Sequence, residues 1–309
     1  MTHLIVPRAL ETMRTYHNQV RAFDLHLERL FMSWRLLMHP HHGFTFSTTQ
    51  QAHITKKIYR QLGSWSISPH KDLALSDEVT SPEQYGEIGC LKKTSRDWVI
   101  RCWLDLEGHL EMSKTPLDTS YVGCPRSVAS VHLPFDPYLP RNAKHDQRQA
   151  WERDALRLHV DELLLCDAQG YVLEAHNSNF WILEVSEDFD QERFSDALRE
   201  KHTKPLQGTC WVTPPLEGNC LSGVTRALLI QIFKEAGAHV YCERISLDEE
   251  KIYSDDDRSK AMPVNQKSYL SSTLKSLSPI ISINQHVVQR PKWDQALCAW
   301  VDDQLCLRR

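Results

Sequence analysis

The stretch Thr213-Pro-Pro-Leu-Glu-Gly-Asn-Cys-Leu-Ser-Gly-Val-Thr-Arg226 is the most informative part of this chain. Its pattern is that of a strand end, a short loop, a glycine, and then an amphipathic helix (223–236) that stops at Gly237. The first backbone N–H groups of a helix have no partner within the helix, and the helix dipole places partial positive charge there. The stretch therefore predicts a binding site for a phosphate group.

Two further signatures lie upstream of this stretch. One is Glu174-Ala-His-Asn-Ser-Asn-Phe180, and the other is Lys144 in the segment Arg141-Asn-Ala-Lys-His-Asp-Gln-Arg148. A lysine, a carboxylate and a phosphate site in this order suit a pyridoxal phosphate enzyme. The amine forms an imine with the cofactor, the carboxylate keeps the pyridine nitrogen protonated, and the helix start holds the phosphate.

These motifs closely resemble those of the class IV (fold type IV) pyridoxal phosphate enzymes. That family includes branched-chain and D-amino-acid aminotransferases and 4-amino-4-deoxychorismate lyase. The matching segments follow the family's order over nearly the whole chain: residues 11–14, 26–30, 144, 174–180, 213–226 and 269–273. The resemblance implies an α+β fold, with a small N-terminal α/β domain and a larger C-terminal pseudo-barrel domain that binds the cofactor.

Composition and charge exclude several other classes. The 309 residues carry a formal net charge of −4, which gives no basic surface for nucleic acid or for an anionic membrane. We expect no signal peptide and no membrane span, because the sequence shows neither pattern. The nine cysteines are scattered without CxxC pairs, which indicates reduced thiols and a cytoplasmic location.

The order of local patterns predicts two domains. Residues 1–113 are expected to form the small domain, with helices over 23–37 and 47–62 and hairpins on either side of them. Residues 114–142 are rich in proline and predict a linker followed by a loop. Residues 143–309 form the larger domain, in which strands and helices mix without strict βαβ alternation. Residues 64–95 are expected to be irregular, and residues 254–266 a surface loop.

Lys144 is the candidate catalytic residue. By resemblance its ε-amine would hold the cofactor as a Schiff base, and once displaced by the substrate it would carry protons. Glu174 would face the pyridine nitrogen, where a carboxylate keeps that nitrogen protonated and lets the ring withdraw electrons from the substrate's Cα bond.

The phosphate partners also follow from the resemblance. Arg29 shares a helix face with His26 and would offer its charged, planar guanidinium. Val224 and Thr225 would offer backbone N–H groups at the helix start, and Ser272 and Thr273 a second hydroxyl-bearing loop. Arg101 lies on a predicted strand and would present a cation to a substrate carboxylate. The histidines at 39–42 predict a polar loop and not a metal site, because no ligand spacing accompanies them.

Three features favour a lyase over a transaminase. Thr12 stands where lyase-like sequences carry a hydroxyl, which makes it a second candidate catalytic residue. Residues 144–148 resemble the lyase-like Lys-His-x-x-Arg, and residues 272–274 resemble Asn-Ser-Leu. The resemblance thus implies a homodimeric 4-amino-4-deoxychorismate lyase that acts on a small amine, releases pyruvate and forms 4-aminobenzoate.

Two alternatives to the lyase stay open. One is an amino acid transaminase of the branched-chain or D-amino-acid type, which would use the same lysine and the same cofactor. The other is a degenerate relative that binds the cofactor without catalysis, since Pro7-Arg-Ala9 stands where the family carries glycines.

Overall fold

A computed structural model describes residues 7–38, 47–69, 97–132, 140, 142–186, 188–216, 220–247 and 266–307. Within these ranges the chain forms two mixed sheets with helices packed against them, so the predicted α+β class is confirmed. The predicted polar loop at 39–42 lies outside the described residues, as does most of the predicted irregular segment. The predicted surface loop at 254–266 lies outside them too, except that Gln266 begins a strand.

The smaller sheet comes from the N-terminal part of the chain and has the strand order β3-β2-β1-β4-β5. Its strands are β1 (Ala9–Tyr16), β2 (Gln19–Val20), β3 (Ser68–Pro69), β4 (Trp98–Leu104) and β5 (Leu110–Pro116). Strands β1 and β4 are antiparallel, and Thr12 pairs with Arg101. Directly opposite residues of such a pair share one face of the sheet, so these two side chains are neighbours.

Two helices cover this sheet. Helix α1 (Phe23–Met38) packs its apolar face on β1, and helix α2 (Thr48–Ser64) begins at a capping box formed by Ser47 and Gln50. His26 and Arg29 lie at i and i+3 on α1, and both are buried. Burial of these two polar side chains requires partners from the sheet below them.

The larger sheet has the strand order β11-β10-β9-β13-β14-β6-β7-β8-β12, and β15 pairs with β14. The pairs β10–β11, β14–β6 and β6–β7 are parallel, and the other pairs of this sheet are antiparallel. The strands are β6 (Arg126–His132), β7 (Glu162–Cys166), β8 (Tyr171–Ala175), β9 (Asn179–Val185), β10 (Thr209–Thr213), β11 (His239–Cys242), β12 (Ile245–Ser246), β13 (Gln266–Ser272), β14 (Ser276–Ile283) and β15 (His286–Val287).

Among the described residues, four more helices pack around the larger sheet: α3 (Gln149–Arg157), α4 (Gln191–Arg199), α5 (Val224–Glu235) and α6 (Asp294–Leu307). Helix α5 is fixed by aromatic packing, with Phe233 stacked on Trp211 at 4.2 Å between ring centroids. It ends at Glu235, and Gly237, two residues further on, has a φ of 92°, which suits a residue without a side chain. This packing holds the start of α5 against the sheet.

The segment predicted as linker and loop contains regular structure. Strand β5 extends to Pro116, a short 3₁₀ helix covers Thr119–Tyr121, and β6 lies between β14 and β7 in the larger sheet. The segment for which the sequence predicted a linker followed by a loop thus includes strand and 3₁₀-helical residues. The division into domains at residues 113 and 143 stays a prediction.

Candidate active site

One cavity of about 640 Å³ brings together most of the predicted site residues. Its lining includes β1, β4, the loop before α3, the end of β8, the start of α5 and the β13–β14 turn. The predicted residues that line it are Thr12, Arg29, Arg101, Lys144, Glu174, Thr225, Ser272 and Thr273. Val224 lines a small second cavity that shares Thr225 and Thr273 with the first.

The backbone of Lys144 is fixed by two hydrogen bonds. Its N–H donates to Ser33 Oγ at 2.9 Å, and its carbonyl accepts from Leu10 N–H at 2.8 Å. The side chain is only 14% exposed, and burial lowers the pKa of the Lys144 ammonium to about 7, although Glu11 Oε1 lies 3.7 Å from its Nζ. A lysine of this kind is partly neutral at physiological pH, which is the state in which an amine acts as a nucleophile or a base.

Glu11 is the centre of a buried polar network under the cavity. Its carboxylate accepts from Arg29 Nε at 2.8 Å, from Arg29 Nη2 at 2.5 Å, and from the backbone N–H of Thr12 at 2.8 Å. His26 Nδ1 lies 2.9 Å from the same carboxylate. Burial alone would raise the pKa of Glu11, but Arg29, Lys144 and His26 hold it well below its usual value. Glu11 is thus ionised and fixes the orientation of Arg29.

Glu174 lies near the end of β8 and is buried. One carboxylate oxygen accepts from the Leu221 N–H at 3.1 Å. Burial raises the pKa of Glu174 to about 7, against the opposing effect of the positive charge on Arg148. A carboxyl group with this pKa responds to a cationic partner in the cavity, because such a partner favours its ionised form.

The start of α5 has the features of an anion site. Gly223 precedes it and makes no side-chain cap, so the first N–H groups of the helix keep their hydrogen-bonding capacity. Thr225 Oγ1 lies 3.4 Å from Thr273 Oγ1, which brings the helix start and the β13–β14 turn to one place. Arg29 also reaches this place, since its Nη1 donates to the Ser222 carbonyl at 3.4 Å.

Gly223→Ala is expected to destabilise the protein by about 1–3 kcal/mol, because an added Cβ would overlap the side chain of Asn179. Asn179 Nδ2 would then lose its hydrogen bond to the Leu221 carbonyl, now 3.3 Å long. Urea unfolding measures the loss. Gly63→Ala is the matched control: it lies in helix α2 with open space around it, and should leave stability unchanged or raise it by up to about 1 kcal/mol. Equal effects of the two substitutions would contradict the expectation.

The raised pKa of Glu174 predicts how the stability of the cofactor-free protein depends on pH. The folded state binds the proton of Glu174 more tightly than the unfolded state does. Its contribution to stability is therefore fully present below the ordinary pKa of 4.5 and is lost as pH rises through about 7. Relative to Glu174→Gln, the native protein should therefore lose about 3 kcal/mol of unfolding free energy between pH 4.5 and pH 7.5. Denaturant titrations of both proteins across this range measure the difference. A difference independent of pH would contradict the shifted pKa.

Sequence patterns did not assign a role to four charged residues that the structure brings to this site. They are Glu11, Arg126, Arg148 and Lys275; the last three line the cavity and the first lies beneath it. Arg148 stands in the quoted Lys-His-x-x-Arg motif, and Glu11 opens the quoted segment 11–14, so both could have been found from the sequence.

Arg148 is a second cation next to the lysine. It donates to the His176 carbonyl and lies over the ring of Trp151 at 5.7 Å, while its Nε has no hydrogen-bond partner among the described residues. Burial lowers the pKa of this guanidinium, and Glu174 opposes that effect. The positive charge of Arg148 also helps to lower the pKa of Lys144.

The family model "Amino-transferase class IV" matches residues 8–283 of the chain. The chain belongs to this family of pyridoxal-phosphate-dependent enzymes. The resemblance predicted from the motifs is thereby confirmed.

Individual relatives agree with this assignment. "Branched-chain-amino-acid transaminase 1" of Bacillus subtilis (strain 168) is 32% identical over 107 residues, which are 32% of this chain and 28% of the relative. The alignment thus spans less than a third of the curated relative. A hypothetical aminotransferase from Mycobacterium tuberculosis, in its PLP-bound form, has a TM-score of 0.64 at 15% identity over 98% of this chain and 90% of that one.

A third similar protein is a candidate 4-amino-4-deoxychorismate lyase from Legionella pneumophila. Its TM-score is 0.57 at 15% identity, over 96% of this chain and 91% of that chain. At these identities the two solved structures show the shared fold.

The residues of the cavity fit pyridoxal phosphate on chemical grounds. An amine with a pKa of about 7, a buried carboxyl group and an uncapped helix start offer one partner each for the aldehyde, the ring nitrogen and the phosphate. None of the helices within the described ranges has the length and apolar character needed to cross a lipid bilayer.

Proposed function

We propose that the protein is a 4-amino-4-deoxychorismate lyase-like enzyme that releases pyruvate and forms 4-aminobenzoate. The observation that carries the proposal is one cavity shared by Lys144, with a pKa of about 7, and the buried residues Glu174, Arg29 and Thr12. The candidate lyase with the same fold supports the choice of reaction.

Each site residue has one task in holding the cofactor. Lys144 binds it covalently through the ε-amine, and Glu174 offers a carboxylate to the ring nitrogen. The phosphate is bound by the charge of Arg29, which Glu11 holds in place, and by the helix start. The remaining phosphate partners are the N–H groups of Val224 and Thr225 and the hydroxyls of Thr225, Ser272 and Thr273.

The same residues account for the chemistry. Pyridoxal phosphate, when bound, supplies a conjugated ring that accepts electrons from the substrate's Cα bond. Lys144 moves a proton near that carbon, and a pKa near 7 lets its amine both accept and return it. Thr12 presents a hydroxyl to the reacting end of the substrate. Arg101, its neighbour across the β1–β4 pair, binds a substrate carboxylate.

A transaminase is the second candidate, and the segment similar to a branched-chain transaminase favours it. In that reaction Lys144 would move a proton between the substrate Cα and the cofactor, and an oxo acid would complete the cycle. A degenerate relative without catalysis is the third candidate.

Two assays of the pure, cofactor-loaded protein separate the candidates. In the first, 4-amino-4-deoxychorismate is added and pyruvate is measured with lactate dehydrogenase; a lyase forms pyruvate and 4-aminobenzoate in equal amounts. In the second, an amino acid alone is added and the cofactor absorbance is followed. Conversion of the cofactor to its aminated form without pyruvate from the first assay would identify a transaminase. A protein that takes up the cofactor but gives neither pyruvate nor the aminated cofactor would identify the degenerate relative.

The assembly and location are also proposals. We expect a homodimer that acts on small amines in the cytoplasm, as the family resemblance implies. Sedimentation velocity of the pure protein tests the dimer directly, because monomer and dimer differ twofold in mass.

A further inference from the structure

Arg126 is a buried cation in the active-site cavity that no task above uses. It is the first residue of β6, where it pairs with Ile280 of the parallel strand β14. It is only 8% exposed, yet it lines the cavity. Burial of a guanidinium is costly unless hydrogen bonds and a counter-charge compensate for the lost water.

The protein satisfies Arg126 only in part. Its Nη1 lies 3.4 Å from Asp161 Oδ1, and its Nη2 donates to the Tyr121 carbonyl at 3.4 Å. Both distances are long for charge-assisted hydrogen bonds, which usually measure about 2.7–2.9 Å. Its Nε has no hydrogen-bond partner among the described residues. Asp161 is committed elsewhere, because its other oxygen accepts from the N–H and the hydroxyl of Ser127 at 2.8 Å each.

Arg29, in the same cavity, has a close carboxylate partner in Glu11. It makes two short hydrogen bonds to one carboxylate, at 2.8 and 2.5 Å. Arg126 lacks such a partner, and the ring of Tyr121 packs at 5.1 Å from its guanidinium carbon. Nη1 and Nη2 each keep one further N–H, and this pair of donors fits a planar anion with two oxygens, which is the geometry of a carboxylate.

Arg101 is another arginine that lines this cavity. Its guanidinium makes no hydrogen bond or ion pair to any other described residue, and it lines the cavity from the smaller sheet, whereas Arg126 lines it from the larger sheet. Two arginines on separate sheets suit two carboxylates on one ligand better than one carboxylate and a branched apolar side chain.

We infer that Arg126 binds a second substrate carboxylate, remote from the one at Arg101, so that the enzyme selects amines carrying two carboxylates. The inference rests on the proposed use of this cavity as the substrate site. Arg126 acts here as a specificity residue, through its contact with the substrate and not through the reacting atoms.

The test measures binding to the cofactor-loaded protein, without turnover. Glutarate and pentanoate have equal chain length but two and one carboxylates, and their dissociation constants are obtained by calorimetry or from the cofactor absorbance. We expect glutarate to bind the native protein about tenfold or more tightly than pentanoate, and Arg126→Gln to remove that preference by weakening glutarate alone. Arg126→Lys should retain part of the preference, because it keeps the charge.

Asp161→Asn is the matched control for a structural role. It removes the carboxylate next to Arg126 and leaves the guanidinium, so the glutarate preference should stay or increase. If Arg126 served only to pair with Asp161, Arg126→Gln and Asp161→Asn would lower thermal stability similarly and leave the ratio of glutarate to pentanoate affinity unchanged. That result, or equal affinities in the native protein, overturns the inference.

This test is independent of the reaction. A protein that prefers glutarate but forms no pyruvate from 4-amino-4-deoxychorismate refutes the lyase and keeps the role of Arg126. A protein that forms pyruvate but shows no preference for glutarate supports the lyase and refutes the role of Arg126.

Discussion

Lys144→Ala is expected to lower turnover by roughly 10³-fold or more, since it removes the group proposed both to bind the cofactor and to move the proton. The buried site around Lys144 leaves an amine with a pKa of about 7, and alanine offers no substitute. Borohydride reduction of the cofactor-loaded native protein, followed by peptide mapping, should fix the cofactor on the peptide that contains Lys144. The alanine variant should carry no label there.

Lys275 provides the control for this experiment, because it is the other lysine among the residues that line the cavity. Its Nζ contacts Glu162 and lies 3.2 Å from Ser178 Oγ, so its charge is already neutralised by a buried carboxylate. Lys275→Arg keeps that charge and removes the amine, and the label should still appear on Lys144. A label on Lys275, or normal turnover by Lys144→Ala, would refute the assignment of the catalytic lysine.

Glu11→Gln is expected to cost about 3–5 kcal/mol of unfolding free energy, the largest stability effect of a single substitution that we expect at this site. The variant keeps the shape of the side chain but leaves the buried guanidinium of Arg29 without its counter-charge. Chemical denaturation at pH 7 measures the loss. Glu111→Gln is the control: Glu111 forms an exposed ion pair with Arg8, its side chain is 67% exposed, and its loss should cost about 1 kcal/mol or less.

The pH dependence of the Glu11 effect gives a second check. Because the pKa of Glu11 is held well below its usual 4.5, ionised Glu11 stabilises the fold above that pH, and the contribution is lost as pH falls toward the lowered pKa. The stability gap between the native protein and Glu11→Gln should therefore narrow below about pH 4.5. A gap that stays constant down to pH 3 would show that shape, and not charge, is what the substitution removes.

Local patterns were enough for the elements that frame the site. The strand-loop-glycine-helix pattern placed the start of α5 within a residue, and the helix predicted over 23–37 forms as α1. These elements can be predicted from the local sequence, because a glycine, a turn and an apolar period act over a few residues. The roles of Lys144 and Glu174 came from the family resemblance and stay predictions, although both residues line one cavity.

Strand β6 shows where local patterns fail. Its sequence, Arg-Ser-Val-Ala-Ser-Val-His, lies in a proline-rich segment and has little alternation or bulk. It is held by parallel pairing to β7 and β14, and the partner Ile280 is far along the chain. Such pairing depends on tertiary contacts and leaves a weak local signal.

The partners of the charged side chains could not be predicted from local sequence patterns either. Arg29 was expected to face a phosphate, but its pairing with Glu11 across eighteen positions required the packing of α1 on β1. Arg126 looked like part of a linker, and its burial follows from its place in the sheet. Charge and residue type are visible in a sequence, whereas desolvation and pairing are properties of the folded chain.

The Glu162–Lys275 pair has a consequence for anyone who diversifies this cavity. Glu162 is 1% exposed and also accepts from Ser178 Oγ at 3.0 Å and from the Asn177 N–H at 3.3 Å. Loss of Lys275 alone leaves the buried carboxylate of Glu162 without its counter-charge. Libraries that randomise position 275 will therefore enrich lysine or arginine unless position 162 is randomised with it. Mutagenesis near the β13–β14 turn should therefore vary positions 162 and 275 together.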